Sequence, residues 1–176
     1  MANTKPSSTF LGISSGDTWT YATEQATTSG TTVNFTGIAA GTRVIWFVMD
    51  GVGNTGDATL DITLGDSGGL ETSGYIGTTR ANYDNTVSQT VNRTSAFNIV
   101  GSADHFDTNT LLTGYVNFVL TDESNEVWTM TGVFGSANGN TFQCSGRKSL
   151  SGELTQLRVT LSTGAFDAGT VGIITE

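Results

Sequence analysis

The chain has 176 residues, with seven Lys and Arg against 16 Asp and Glu, so its formal net charge is −9. This length fits one domain with a real apolar core. The acidity argues against binding to nucleic acid, which needs a basic footprint. The one cysteine, Cys144, excludes an internal disulfide framework; it alternates in phase with Phe142, which predicts a buried apolar position.

The first segment, residues 1–16, is small and polar apart from Phe10, Leu11 and Ile13. We predict an N-terminal arm that attaches to another protein through these three side chains, with a frayed terminus as the alternative. The segment lacks the apolar core of a signal peptide, so we expect folding in a cytoplasm. The longest apolar run, Val44 to Met49, is too short to cross a bilayer, so we expect no membrane insertion.

Residues 17–176 consist of short Thr-rich runs separated by Gly, Asn and Asp, which is typical of strands joined by turns. In one such run Leu60, Ile62 and Leu64 alternate with Asp61 and Thr63, so one face is apolar. We predict an all-β fold, a two-sheet antiparallel β-sandwich that resembles a jelly roll. The predicted strands are Thr18–Thr23, Thr32–Thr36, Arg43–Met49, Ala58–Leu64, Thr94–Val100, Leu111–Thr121, Glu126–Phe134, Asn140–Cys144, Glu153–Ser162 and Thr170–Thr175.

The strand at Arg43–Met49 is apolar on both faces, which is unusual because one face of a sandwich strand normally meets water. Its second face needs a cover, either a loop of the same chain or a neighbouring copy. We favour the neighbouring copy and predict an oligomer interface that comprises Trp46, Val48, Trp128 and Met130.

The glycine-rich segment Asp50–Asp57 contains the spacing GxGxxG after a strand. A dinucleotide site needs a helix next, but another alternating strand follows, so we predict a hairpin connection and no cofactor. Its Asp and Asn side chains could bind Ca²⁺, although Asp and Asn are the ordinary residues of turns. We therefore predict no metal site.

Gly65 to Gly69 spell GDSGG, the sequence around the nucleophile of trypsin-like proteases. A catalytic triad needs an imidazole base and an orienting carboxylate, and in those enzymes the histidine precedes the serine. Here the one histidine, His105, follows Ser67. We therefore predict that the protein is not an enzyme; a hydrolase with a triad of Ser67, His105 and Asp107 is a distant alternative.

The same motif, LGDSGG followed by Glu71 and Gly74-Tyr75, resembles a β-sandwich module that ends the tail fibres of tailed bacteriophages. Further matches are Val33–Ile38, the strand at Arg43–Met49 and the closing segment Phe166–Glu176, which is similar to the family ending FDAG-x-I-N-I-x-YE. Gly172 stands where that ending has Asn, and Thr175 where it has Tyr. The resemblance covers roughly residues 30–176.

The resemblance implies a non-enzymatic structural protein of the bacteriophage virion, a short fibre, fibre tip or capsid decoration attached through its arm. It also implies a homotrimer that contacts other virion proteins and is assembled in the host cytoplasm. The alternative is a lectin-like tip that recognises a host-surface glycan. Its binding residues would come from the aromatic residues of the predicted loops and the neighbouring histidine, namely Tyr75, Tyr83, Phe106 and His105.

Overall fold

The computed structural model describes residues 19–83, 86–91 and 93–176. Their regular structure is almost entirely strand, with one short 3-10 turn at Ala103–His105. The strands are β1 (Thr20–Tyr21), β2 (Gln25–Ala26), β3 (Thr32–Thr36), β4 (Val44–Asn54), β5 (Leu60–Asp66), β6 (Gly69–Leu70), β7 (Ile76–Tyr83), β8 (Thr86–Val91), β9 (Phe97–Val100), β10 (Leu112–Asp122), β11 (Val127–Ser136), β12 (Thr141–Ser149), β13 (Gln156–Leu161) and β14 (Phe166–Thr175).

The strands form two antiparallel sheets that pack face to face. The nine-stranded sheet runs β1-β14-β4-β10-β11-β12-β7-β8, with β2 also paired to β14. The five-stranded sheet runs β3-β13-β5-β6, with β9 also paired to β5. The predicted all-β sandwich is confirmed.

The pairing is that of a jelly roll with two additions. If β1 and β2 count as one strand and β6–β8 and β11–β12 are set aside, eight strands remain. In chain order they pair as 1-8-3-6 in one sheet and 2-7-4-5 in the other, the two interleaved Greek keys of a jelly roll. The added strands β11, β12, β7 and β8 extend the first sheet beyond β10.

The core lies between the two inner faces and follows the two-residue alternation of each strand. β4 contributes Ile45, Phe47 and Met49, each at most 1% exposed. They face the five-stranded sheet, where Phe35 of β3 meets Phe47 edge-on with ring centroids 6.4 Å apart. Leu60, Ile62 and Leu64 of β5 are fully buried there, as their alternation predicts.

The strands differ from the sequence predictions in two main places. The hairpin of β7 and β8 was not predicted, because Ile76–Val91 is rich in Thr and other polar residues and lacks an apolar alternation. The segment Asp50–Asn54 continues β4, so the hairpin connection predicted there is shorter. The predicted arm, residues 1–16, lies outside the described residues.

The extension of β4 depends on a close approach between its backbone and that of β14. Gly169 has φ +84°, and a Cβ atom there would lie 2.3 Å from the carbonyl oxygen of Gly51. The β4–β14 register shifts on both sides of Ala168, as at a β-bulge. Position 169 therefore requires glycine for two reasons: the backbone is left-handed there, and the contact with Gly51 leaves no room for a side chain.

We predict that Gly169→Ala destabilises the sandwich more than Gly139→Ala. Gly139 has nearly the same φ, +82°, but a Cβ there would meet nothing within 4 Å. Both variants carry left-handed strain of about 1–2 kcal/mol, and the clash at Gly169 adds about 1–3 kcal/mol. Urea unfolding of both variants measures the difference, and equal losses would contradict the role assigned to this contact.

Candidate functional site

The GDSGG motif forms the turn between β5 and β6, where its residues bond to one another. Asp66 accepts a hydrogen bond from the Gly68 amide at 2.7 Å and one from the Ser151 hydroxyl, also at 2.7 Å. These two bonds hold the pKa of the Asp66 carboxyl below its usual value. A Cβ on Gly65 would lie 2.4 Å from the Gly69 carbonyl oxygen, so this tight hairpin requires glycine at position 65.

Glu71, two residues beyond the motif, continues this arrangement. Its carboxylate accepts from the Ser151 amide at 2.6 Å and pairs with the ammonium group of Lys148. Lys148 is 4% exposed and also donates to the Ser149 carbonyl at 2.6 Å. Burial opposes ionisation of Glu71, but the bonds from Lys148 and Ser151 outweigh it and hold its pKa below the usual value.

These contacts tie the β5–β6 turn to the end of β12 and the connection between β12 and β13. We call the four residues that make them the clasp: Asp66, Glu71, Lys148 and Ser151. Apart from the bond of Asp66 to the Gly68 amide, the hydrogen bonds given above for the two carboxylates join this segment to residues 148–151. Ser67 is exposed at the tip of the turn, whereas His105 is buried beside Ser88, 3.3 Å from its hydroxyl. The clasp gives the spacing between Asp66 and Glu71 a structural explanation, because both carboxylates bond to Ser151.

The residues predicted for glycan binding are mostly inside the protein. Tyr75 is 1% exposed: its hydroxyl accepts from the Leu64 amide at 2.8 Å, and its ring meets Phe97 edge-on at 4.9 Å. Phe106 is 0% exposed, and His105 is 8% exposed with its pKa lowered by burial. The prediction of surface aromatics at Tyr75 and Phe106 is wrong, because both rings are buried in the core. The side chain of Tyr83 lies outside the described residues.

The predicted oligomer interface divides into two pairs of residues. Trp46 and Val48 lie on the outer face of β4 and are half-buried. Trp128 and Met130 are 1% and 0% exposed, because β11 belongs to the same sheet as β4 and turns these side chains towards the other sheet. The placement of Trp128 and Met130 at an interface is wrong. The arm residues Phe10, Leu11 and Ile13 lie outside the described residues.

Trp46 belongs to an apolar patch on the outer face of the nine-stranded sheet. It lies opposite Ile174 in the strand register, and its ring is 6.4 Å from that of Trp19, which is 49% exposed. Val48 follows two residues along the same face. We call Trp19, Trp46, Val48 and Ile174 the apolar patch.

Next to the patch, strands β10, β11, β12 and β7 carry a shallow groove of about 520 Å³. Two cross-strand rows form it, and we call it the polar groove. The rows are Tyr115–Val133–Gln143–Arg80 and Asn117–Thr131–Ser145–Thr78.

The polar groove was missed by sequence reasoning, although one signal was present. Tyr115 and Asn117 alternate with Val116 and Phe118, which are 0% exposed, so Tyr115 must point outwards. The alternation does not show which side chains lie next to Tyr115, because Arg80 comes from the β7 strand that was not predicted.

Cys144 is 6% exposed, and burial raises the pKa of its thiol to about 12, so its predicted buried position is confirmed.

In residues 19–83, 86–91 and 93–176, no three His, Cys, Asp or Glu side chains are grouped so that they could hold a metal ion. Over the same residues, no helix is both long and apolar enough to cross a membrane.

Comparison of the chain with known protein families, with characterised proteins and with solved structures finds no match.

We predict that Glu71→Gln lowers the free energy of unfolding by about 2–3 kcal/mol at pH 7, because it leaves the buried Lys148 ammonium without its carboxylate. The matched control is Glu123→Gln. Glu123 pairs with Arg43 at 3.1 Å, but these side chains are 70% and 66% exposed, so its loss is expected to stay within about 0.5 kcal/mol. Similar losses in the two variants would contradict the clasp.

The clasp also predicts a pH dependence. The folded-state pKa of Glu71 is lowered from 4.5, so as pH falls the unfolded chain takes up the proton first. The stability from Glu71 is therefore present above pH 4.5 and is lost as pH falls through its lower, folded-state pKa. The difference between wild type and Glu71→Gln, measured by urea unfolding from pH 7 to pH 3, is expected to shrink below pH 4.5; a constant difference would argue against it.

Proposed function

We propose that this protein is a non-enzymatic structural protein of a bacteriophage particle, a short fibre, fibre tip or capsid decoration that forms a homotrimer. The observation that carries the proposal is the apolar patch. Two tryptophan rings and two aliphatic side chains lie together on the outer face of a sheet whose inner face already fills the core.

The chain buries the apolar patch only in part, and a neighbouring copy buries the remainder. Trp46 is half-buried, beneath Trp19 on one side and beside Tyr115 on the other, with ring centroids 6.4 and 5.0 Å away. Single exposed apolar residues are ordinary on protein surfaces, but contiguous ones mark contact sites. Their burial against another copy contributes about 25 cal/mol per Å² of apolar surface.

The charge of the chain favours an apolar contact over an electrostatic one. A net charge of −9 makes identical copies repel each other. Glu24 and Asp50 lie beside Val48 at the edge of the patch, so association has to be driven by the apolar surface between them. Salt screens such repulsion, and association is therefore expected to strengthen with added NaCl.

The fold and the motif support the assignment to a particle. Jelly rolls occur in viral capsid proteins and in lectins, but a fold alone does not define a function. The phage part of the proposal comes from the resemblance of the LGDSGG and FDAG segments to tail-fibre modules. The clasp supports a structural reading of the first segment, since Asp66 and Glu71 bond to Ser151.

We predict that the double variant Trp46→Thr/Val48→Thr weakens self-association at least tenfold, because it removes the centre of the apolar patch. Val87→Thr is the matched control: Val87 is 53% exposed on β8, at the far edge of the same sheet. Sedimentation velocity over a concentration series measures the oligomer, and circular dichroism checks folding. A wild-type protein that stays monomeric at micromolar concentration would exclude the trimer.

We predict that deletion of residues 1–16 abolishes incorporation into phage particles and leaves the sandwich folded, because the arm with Phe10, Leu11 and Ile13 is the proposed attachment. The measurement is the amount of protein recovered with purified particles, alongside the urea midpoint of the truncated chain. Normal incorporation of a folded truncated protein would contradict the proposal that the arm attaches the protein to the particle.

A further inference from the structure

The polar groove differs from the apolar patch in shape and chemistry. Its floor is built from short side chains, Thr131, Ser145 and Thr78, which occupy consecutive strands of one row. Longer side chains rise beside them in the neighbouring row, which runs from Tyr115 through the exposed apolar Val133 and the amide of Gln143 to Arg80. The ends are three strand spacings apart, roughly 14 Å, which suits an extended ligand larger than a single small molecule.

Tyr115 provides an aromatic surface at one end of the groove. The side chain is 48% exposed, and its ring rests against the ring of Trp46 with centroids 5.0 Å apart. A ring braced in this way loses little conformational freedom when a ligand stacks on it. Tyrosine also combines an apolar face with a hydroxyl at the rim, a combination that suits an amphipathic ligand.

The hydrogen-bonding groups of the groove are hydroxyls and amides. The Thr131 hydroxyl donates to the side-chain oxygen of Asn117 at 2.9 Å, which fixes the amide and leaves its nitrogen able to donate. Gln143 brings a second amide, exposed in the row opposite. Closely spaced neutral donors and acceptors beside an aromatic ring match a ligand with many hydroxyls and an apolar ring face, which describes a saccharide.

The charge of the groove is opposite to that of the protein. Its lining contains Arg80 and no carboxylate, although the chain carries −9 overall. Among the described residues the ion pairs are Arg43–Glu123 and Lys148–Glu71, so Arg80 has no carboxylate partner there. Arg147 lies exposed on the same face, one row beyond Ser145.

We propose that the polar groove binds a carboxylate-bearing oligosaccharide. A sugar ring stacks on Tyr115, and the guanidinium of Arg80 pairs with a uronic-acid or sialic-acid carboxylate through its planar donors. One arginine in the groove is too little for a phosphate backbone, which requires a basic stripe. The groove lining shares no residue with the apolar patch, although Tyr115 rests on Trp46, and neither the trimer nor the virion is a premise of this proposal.

The test begins with the full-length protein on an array of bacterial surface oligosaccharides that contain uronic or sialic acids, each beside its carboxyl-reduced form. We expect acidic members to bind and their reduced forms to bind at least tenfold more weakly. Absence of binding to every acidic member, or equal binding to the reduced forms, overturns the proposal.

Variants then locate the site by calorimetry with the acidic oligosaccharide that binds best. Tyr115→Ala and Arg80→Gln are each expected to raise Kd at least tenfold. Arg158→Gln is the matched control, because it removes the same charge from the opposite sheet, where Arg158 bonds Asn34 at 2.6 Å; its Kd is expected to stay within twofold. Binding that survives Arg80→Gln unchanged overturns the assignment.

Sedimentation of the same variants separates this proposal from the trimer. A monomer that binds the oligosaccharide would refute the trimer and support the groove. A trimer that falls apart on Tyr115→Ala and binds no saccharide would show the groove to be a protein contact, which overturns the proposal.

Discussion

The structure depends on the burial of the inner face of β4 at the centre of the nine-stranded sheet. This strand pairs with β14 on one side and β10 on the other, and Ile45, Phe47 and Met49 project from it into the core. Because side chains alternate along a strand, fixing these three inwards forces Trp46 and Val48 outwards. The same constraint that closes the core thus creates the apolar patch.

The clasp shows how a sequence pattern known from catalysis can serve a structural purpose. The glycines of GDSGG permit a tight turn, and Asp66 and Glu71 both reach Ser151 across the β12–β13 connection. Lys148 lies buried over the ring of Tyr75, 5.4 Å from its centroid. A buried ammonium is tolerable there because a carboxylate and a carbonyl oxygen share it. The short pattern from Leu64 to Tyr75 is thereby tied to a segment 77 to 85 residues further along the chain.

On the outer face of the nine-stranded sheet, Trp46, Val48 and Ile174 form an apolar surface on β4 and β14. On β10, β11, β12 and β7, hydroxyl, amide and guanidinium groups lie among exposed apolar side chains, namely Val119, Val133 and Ile76. Three of the four strands that extend the jelly roll beyond β10, namely β11, β12 and β7, supply most of the polar groove. One sheet can therefore carry a contact between copies and a ligand site side by side, with Tyr115 at the boundary.

The sequence by itself determined the two-sheet sandwich, because the alternation in strands such as Leu60–Leu64 and Val116–Phe118 is a local property of the chain. It also predicted an outer position for Trp46 and the burial of Cys144. Only the tertiary structure decided that Trp128, Met130, Tyr75 and Phe106 belong to the core, and that Arg80 stands in line with Tyr115. The physical reason is that alternation tells which residues share a face, whereas strand order and register decide what that face meets.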